Sequence, residues 1–97
     1  MSIIRIVKMT FAPEHLDKFM SIFAERQSTI KKYNGCRHLE LWQDEKNPFI
    51  CFTYSIWDDE HHLNAYRFSP FFKETWTLTK ALFTEKADAW TTKKIEV

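Results

Sequence analysis

Residues 36–57, CRHLELWQDEKNPFICFTYSIW, read as two strands and the turn between them. Cys36 to Gln43 alternates apolar with polar side chains, and Phe49 to Trp57 is dense in β-branched and aromatic residues. Asp44-Glu45-Lys46-Asn47-Pro48 supplies the turn chemistry, so the pair predicts a hairpin. Working towards the N-terminus, Asn34-Gly35 is a helix stop in front of the hairpin. The helix it ends carries Leu16, Phe19, Met20 and Phe23 at i, i+3, i+4 and i+7, with Ile30 and Tyr33 extending the stripe. Pro13 suits its first turn, where a missing N–H costs nothing, and Glu14 and Asp17 favour its positive end. Ile3 to Phe11 ahead of it reads as a strand.

Working towards the C-terminus, Asp58 or Asp59 can cap a short helix through His61, His62, Leu63 and Tyr66. Ser69-Pro70 supplies a second cap and a first-turn proline, so the helical region breaks in two. Phe72, Trp76, Thr79 and Phe83 share a face of the second piece, and Trp90 to Val97 reads as the last strand. The order β-α-β-β-α-β predicts a single α+β domain over residues 1–97, with a ferredoxin-like antiparallel sheet.

In that topology the helices cover one sheet face and leave the other open. A pairing that separates the more apolar side chains sets Leu39 and Leu41 with Phe52, Tyr54 and Ile56. It leaves Cys36, His38, Glu40 and Trp42 beside Cys51, Thr53, Ser55 and Trp57. The second set is too apolar for water, which predicts a homodimer with its two sheets stacked as an α+β barrel. A domain this small buries only about 60–65% of its unfolded surface, so a second subunit adds stability.

Composition narrows the function. Fourteen basic and thirteen acidic residues are interspersed, which argues against nucleic acid as a partner. No apolar run reaches the roughly twenty residues that span a bilayer, and the N-terminus lacks the features of an export signal, so the cytoplasm is expected. Gly35 is the only glycine, which rules out a dinucleotide fingerprint or a P-loop, and no cofactor is expected. His61 and His62 diverge by about 100° on a helix, and Cys36 and Cys51 have no ligand spacing, so no metal is expected and both thiols are free. No serine or cysteine stands in a hydrolase arrangement.

Two features are left that carry chemistry. His38 and Glu40, two apart on a strand, share a side and could transfer a proton, or simply satisfy one another in the dimer. Phe19, Phe23, Tyr54, Tyr66, Phe72 and Trp76 are placed to converge between helices and sheet, as core or as the lining of a flat pocket for a small aromatic molecule.

Gly35-Cys36 at the second strand, Tyr54-Ser55-Ile56-Trp57-Asp58-Asp59, then Leu63, Tyr66 and Ser69-Pro70-Phe71-Phe72, resemble the antibiotic-biosynthesis monooxygenase family. The resemblance covers nearly the whole chain. It implies a dimeric α+β barrel with a small-molecule pocket in each subunit. It also implies oxidation of phenolic or quinol-like substrates by dioxygen without metal, haem or flavin. The haem-degrading branch has an asparagine, a tryptophan and a haem-ligating histidine at the positions held here by Val7, Tyr66 and Trp76. Without that histidine its scheme is not expected. Other members carry a histidine at Tyr66 and an acid at Ser55, so their proton-handling groups do not transfer. On this reading Tyr66 and His38 are the candidate catalytic residues, and Tyr54, Phe72, Trp76 and Phe23 the substrate-binding ones. A non-catalytic ligand-binding or stress-related dimer, or an isomerase of a small metabolite, is the alternative.

Overall fold

The structure, a computed structural model, describes residues 2–97. Four antiparallel strands form one sheet: β1 (Ile3–Thr10), β2 (Cys36–Gln43), β3 (Ile50–Trp57) and β4 (Asp88–Thr92), in the order β2-β3-β1-β4. Helix α1 (Leu16–Lys31) joins β1 to β2, and α2 (Glu60–Arg67) with α3 (Pro70–Lys80) joins β3 to β4. This is the predicted ferredoxin-like arrangement. Pro13–His15 forms a separate 3-10 turn ahead of α1. The last strand lies earlier than predicted, at Asp88–Thr92, where it pairs with Ile4 to Lys8 of β1; the following residues lie beyond that pairing. No helix among the described residues is long and apolar enough to cross a membrane.

The hairpin register differs from the sequence expectation by one residue. Leu39 stands opposite Ser55, Leu41 opposite Thr53 and Gln43 opposite Cys51, while His38, Glu40 and Trp42 stand opposite Ile56, Tyr54 and Phe52. The turn decides this. The Asp44 carboxylate accepts the N–H groups of Lys46 and Asn47, Asn47 accepts that of Phe49, and the Asp44 N–H donates to the Ile50 carbonyl. With Asp44 held opposite Ile50, every later pair follows, and a one-residue slip would exchange the faces of a whole strand. An irregularity between Cys36 and His38 inserts Arg37 and turns Cys36 to the helix side, opposite Trp57.

The helix-covered face therefore carries Arg5, Val7 and Met9 of β1 with Cys51, Thr53, Ser55 and Trp57 of β3. Its core has two clusters. Met9, Phe11, Phe19, Cys51 and Leu82 form one, and Ile30, Leu39, Trp57, Leu63 and Tyr66 form the other. Phe23 packs against both. Cys51 is fully buried, Cys36 is half-buried, and both thiols are free.

The opposite face has no helix. Ile4 and Ile6 lie there beside Tyr54, Ile56 and Trp90, with Trp42 stacked on Tyr54 at 4.9 Å. Trp42 and Trp90 are 40% and 47% exposed.

Candidate functional site: an aromatic cavity between helices and sheet

A cavity of about 250 Å³ lies between the helices and the covered sheet face. Its floor is Arg5, Val7 and Met9 of β1 with Thr53, Ser55 and Trp57 of β3. Phe19, Phe23 and Ile30 of α1 form one wall, and Tyr66 and Arg67 of α2 with Phe72 and Trp76 of α3 form the other.

Each ring is held by local chemistry. Trp57 is buried, and its indole N–H donates to Ser55 Oγ at 3.0 Å, so its polar edge is satisfied inside the core. Tyr66 stacks on Trp57 with centroids 5.1 Å apart and meets Phe72 edge-on at 5.1 Å. Phe72 in turn stacks on Trp76, with planes 10° apart. The break between α2 and α3 sets this order. Ser69 Oγ accepts the Phe72 N–H at 3.1 Å and donates to the Tyr66 carbonyl at 2.6 Å, so one hydroxyl starts α3 and ties it to the end of α2.

Burial, and then the neighbouring Tyr33 and Cys36, push the Tyr66 phenol well above its ordinary value. It is protonated at neutral pH, which leaves its hydroxyl able to donate a hydrogen bond and unable to serve as a base. Its hydroxyl has no hydrogen-bond partner among the described residues.

Of the residues singled out from sequence, Tyr66, Trp76, Phe72 and Phe23 come together around this cavity. Tyr54 and His38 do not. Both lie on the open sheet face, because β3 alternates and Tyr54 has the opposite parity to Thr53 and Ser55. There His38 Nε2 meets Glu40, and the Trp42 indole donates to the same carboxylate at 2.8 Å. The Trp42 hydrogen bond first, and then His38, hold the Glu40 carboxyl below its usual range. This pair is a polar cluster of the open face, remote from the cavity.

Sequence reasoning missed Arg5, Arg67, Thr53 and Trp57 as cavity residues. For Arg5 a signal existed: it shares strand parity with Val7 and Met9, while Lys8 and Thr10 fall on the other face. No Asp, Glu or His is among the lining residues. No group of three His, Cys, Asp or Glu side chains placed to hold a metal occurs among the described residues.

A split β-α-β domain with an aromatic cavity between sheet and broken helix belongs to the ferredoxin-like class of α+β proteins. The sequence profile of the antibiotic biosynthesis monooxygenase family matches residues 2–77, and the chain belongs to that family. No curated protein matches it in sequence. Among solved structures, a conserved protein from Methanosarcina mazei is 24% identical, covers 97% of this chain and 93% of its own, and superposes with a TM-score of 0.92. A protein named antibiotic biosynthesis monooxygenase is 17% identical, with 97% and 99% covered and a TM-score of 0.90. A Mycobacterium tuberculosis protein is 12% identical over 100% and 98%, again at 0.90. At these identities the likeness establishes the shared fold.

Proposed function

We propose that the protein is a cofactor-independent monooxygenase acting on a small phenolic or quinol-like compound bound in the aromatic cavity. The observation that carries this is the ring-lined cavity in a member of the family, with Phe23, Tyr66, Phe72 and Trp76 around one space. Its volume of about 250 Å³ lies below the roughly 300–1,000 Å³ typical of drug-sized sites and suits one or two fused rings. In such chemistry the ionised substrate supplies the electrons. A hydroquinone and dioxygen give a hydroxyquinone and water, one oxygen atom entering the ring and the other leaving reduced. The protein's part is to stack the ring, exclude water and donate a hydrogen bond to the developing oxyanion, which is the role proposed for Tyr66.

The test is oxygen uptake by chelator-treated protein with one- and two-ring hydroquinones. Protein-dependent uptake is expected, falling on the order of a hundredfold in Tyr66→Phe without loss of fold. Unchanged kinetics in the variant would remove Tyr66 from the chemistry. One observation favours a second reading, a ligand-binding protein without catalysis: no carboxylate or imidazole lines the cavity to take a proton. Uptake absent across the panel, with a ring ligand bound and released unchanged, would establish that reading instead.

The same proposal has the protein work as a homodimer, two copies stacking their open sheet faces. The support is the contiguous apolar surface around Trp42, Tyr54, Ile6 and Trp90, which a solitary subunit leaves in water.

A further inference from the structure

The only charged residues lining the cavity are two arginines, Arg5 and Arg67. Neither takes part in a salt bridge among the described residues, although four other basic side chains do: Arg26 with Glu74, Arg37 with Asp58, His38 with Glu40 and His62 with Asp59. Arg5 projects from the centre of the sheet onto the helix-covered face, in the same cross-strand row as Ser55 and Thr91. Its single side-chain hydrogen bond goes to the neutral Thr91 hydroxyl, from Nη1 at 2.8 Å. Burial, and next the positive charge of Arg67, hold the Arg5 guanidinium below its ordinary value, and no acid offsets either effect. Two like charges facing an apolar space are unfavourable, and an anion between them would relieve both. A helix C-terminus favours a cation at Arg67 on its own account, but it offers no reason for Arg5.

We propose that Arg5 and Arg67 form an anion subsite of the cavity, so that the ligand is a ring compound bound through an ionised oxygen, as a phenolate or a ring carboxylate. The aromatic walls take the ring and the guanidinium pair takes the oxyanion. With a phenol as ligand, the pair lowers the phenol's pKa and the proton leaves to solvent. That would supply the ionised substrate a cavity without carboxylate or imidazole cannot generate by direct proton abstraction. The inference deepens the oxygenase reading by naming the charge state of its substrate, yet the subsite stands if the protein only binds.

The experiment compares 2-naphthoate with its neutral match 2-naphthamide by calorimetry, on wild type, Arg5→Gln, Arg67→Gln and the double variant. Thermal melts verify the fold of each, and Arg5→Lys guards against a variant that loses structure. Wild type should prefer the naphthoate by about tenfold or more. The preference should fall in each single variant and vanish in the double one, with naphthamide affinity falling far less than naphthoate affinity. In a second arm, bound 4-nitrophenol should ionise at lower pH than the free compound, read from its phenolate absorbance. A shift there with no naphthoate preference would narrow the ligand to phenolates, and the reverse to carboxylates. Equal affinity for the matched pair, or no naphthoate binding, together with an unshifted 4-nitrophenol, would overturn the subsite. Oxygen uptake is scored separately: anion preference without uptake sinks only the oxygenase reading, and uptake on neutral quinols without anion preference sinks only the subsite.

Discussion

Gly35 shows how one residue can hold a junction. Its φ of +88° is the only positive value among the described residues, and a Cβ there would run into the His62 side chain. Left-handed backbone costs a residue with a Cβ at least about 1 kcal/mol before any clash is counted. Gly35→Ala should therefore lower unfolding stability in urea, and adding His62→Ala should restore little of the loss, because alanine keeps the His62 Cβ that the new methyl meets and the backbone cost persists. Full recovery would show that the imidazole ring alone was the obstacle and that neither the backbone conformation nor the Cβ contact costs stability. Asp59, beside it, is a titratable cap. The backbone N–H of His62 first, and then its imidazole, hold the Asp59 carboxyl below its ordinary value. A carboxyl with a depressed folded pKa contributes stability that is present above its unfolded value, about 3.9, and lost as pH falls through the folded one. Asp59→Asn keeps a capping oxygen but no charge. The melting-temperature gap between wild type and this variant should be open near pH 7 and narrow as pH falls below about 4. A gap that stays constant would mean that the charge contributes nothing.

Among the elements, the broken second helix positions the site. A continuous helix from Glu60 to Lys80 could not aim both Tyr66 and Phe72 at one space, because six residues of regular helix separate their directions by about 120°. Ser69 makes the break with two hydrogen bonds, and Pro70 follows at the first helical position. Arg26 then ties α1 to α3, donating to Thr75 at 2.8 Å and Glu74 at 2.9 Å while lying over the Phe71 ring. Ser69→Ala should cost about 1 kcal/mol, as lost caps do. For a domain of this size that corresponds to roughly 4–8 °C in Tm. It should also weaken binding of a ring ligand such as 2-naphthol, because Tyr66 and Phe72 lose their shared tether. Weaker stability with unchanged affinity would show that packing alone fixes the two rings.

At the scale of the whole molecule, the sheet has two apolar faces and the chain's own helices cover only one. The proposed dimer accounts for the other, where Trp42, Phe52 and Tyr54 cluster around the His38–Glu40 pair. Trp42→Glu places a charge in the centre of that surface and should convert a sedimenting dimer to monomer. The wild-type melting temperature should rise with protein concentration, and the variant's should not. A wild type that sediments as a monomer at high micromolar concentration would remove the dimer from the proposal.

Sequence by itself determined the element order, the helix stop at Gly35, the helix break at Ser69 and the identity of most of the cavity's rings. Those features rest on interactions between residues close along the chain: caps, a first-turn proline, a glycine stop and helical periodicity. Phe23, Tyr66, Phe72 and Trp76 were legible because a helical stripe announces its inward face. Only the tertiary structure decided which side of each strand faces the cavity. Side chains alternate with a period of two, so a turn that sets Asp44 opposite Ile50 sends Tyr54 outward and Ser55 inward, and a bulge at Arg37 turns Cys36 inward. The apolar pattern could not reveal this, since both sheet faces are apolar. The meeting of Arg5 and Arg67 was likewise hidden, because sixty-two positions separate two residues that only the packing of α2 on the sheet brings to one cavity.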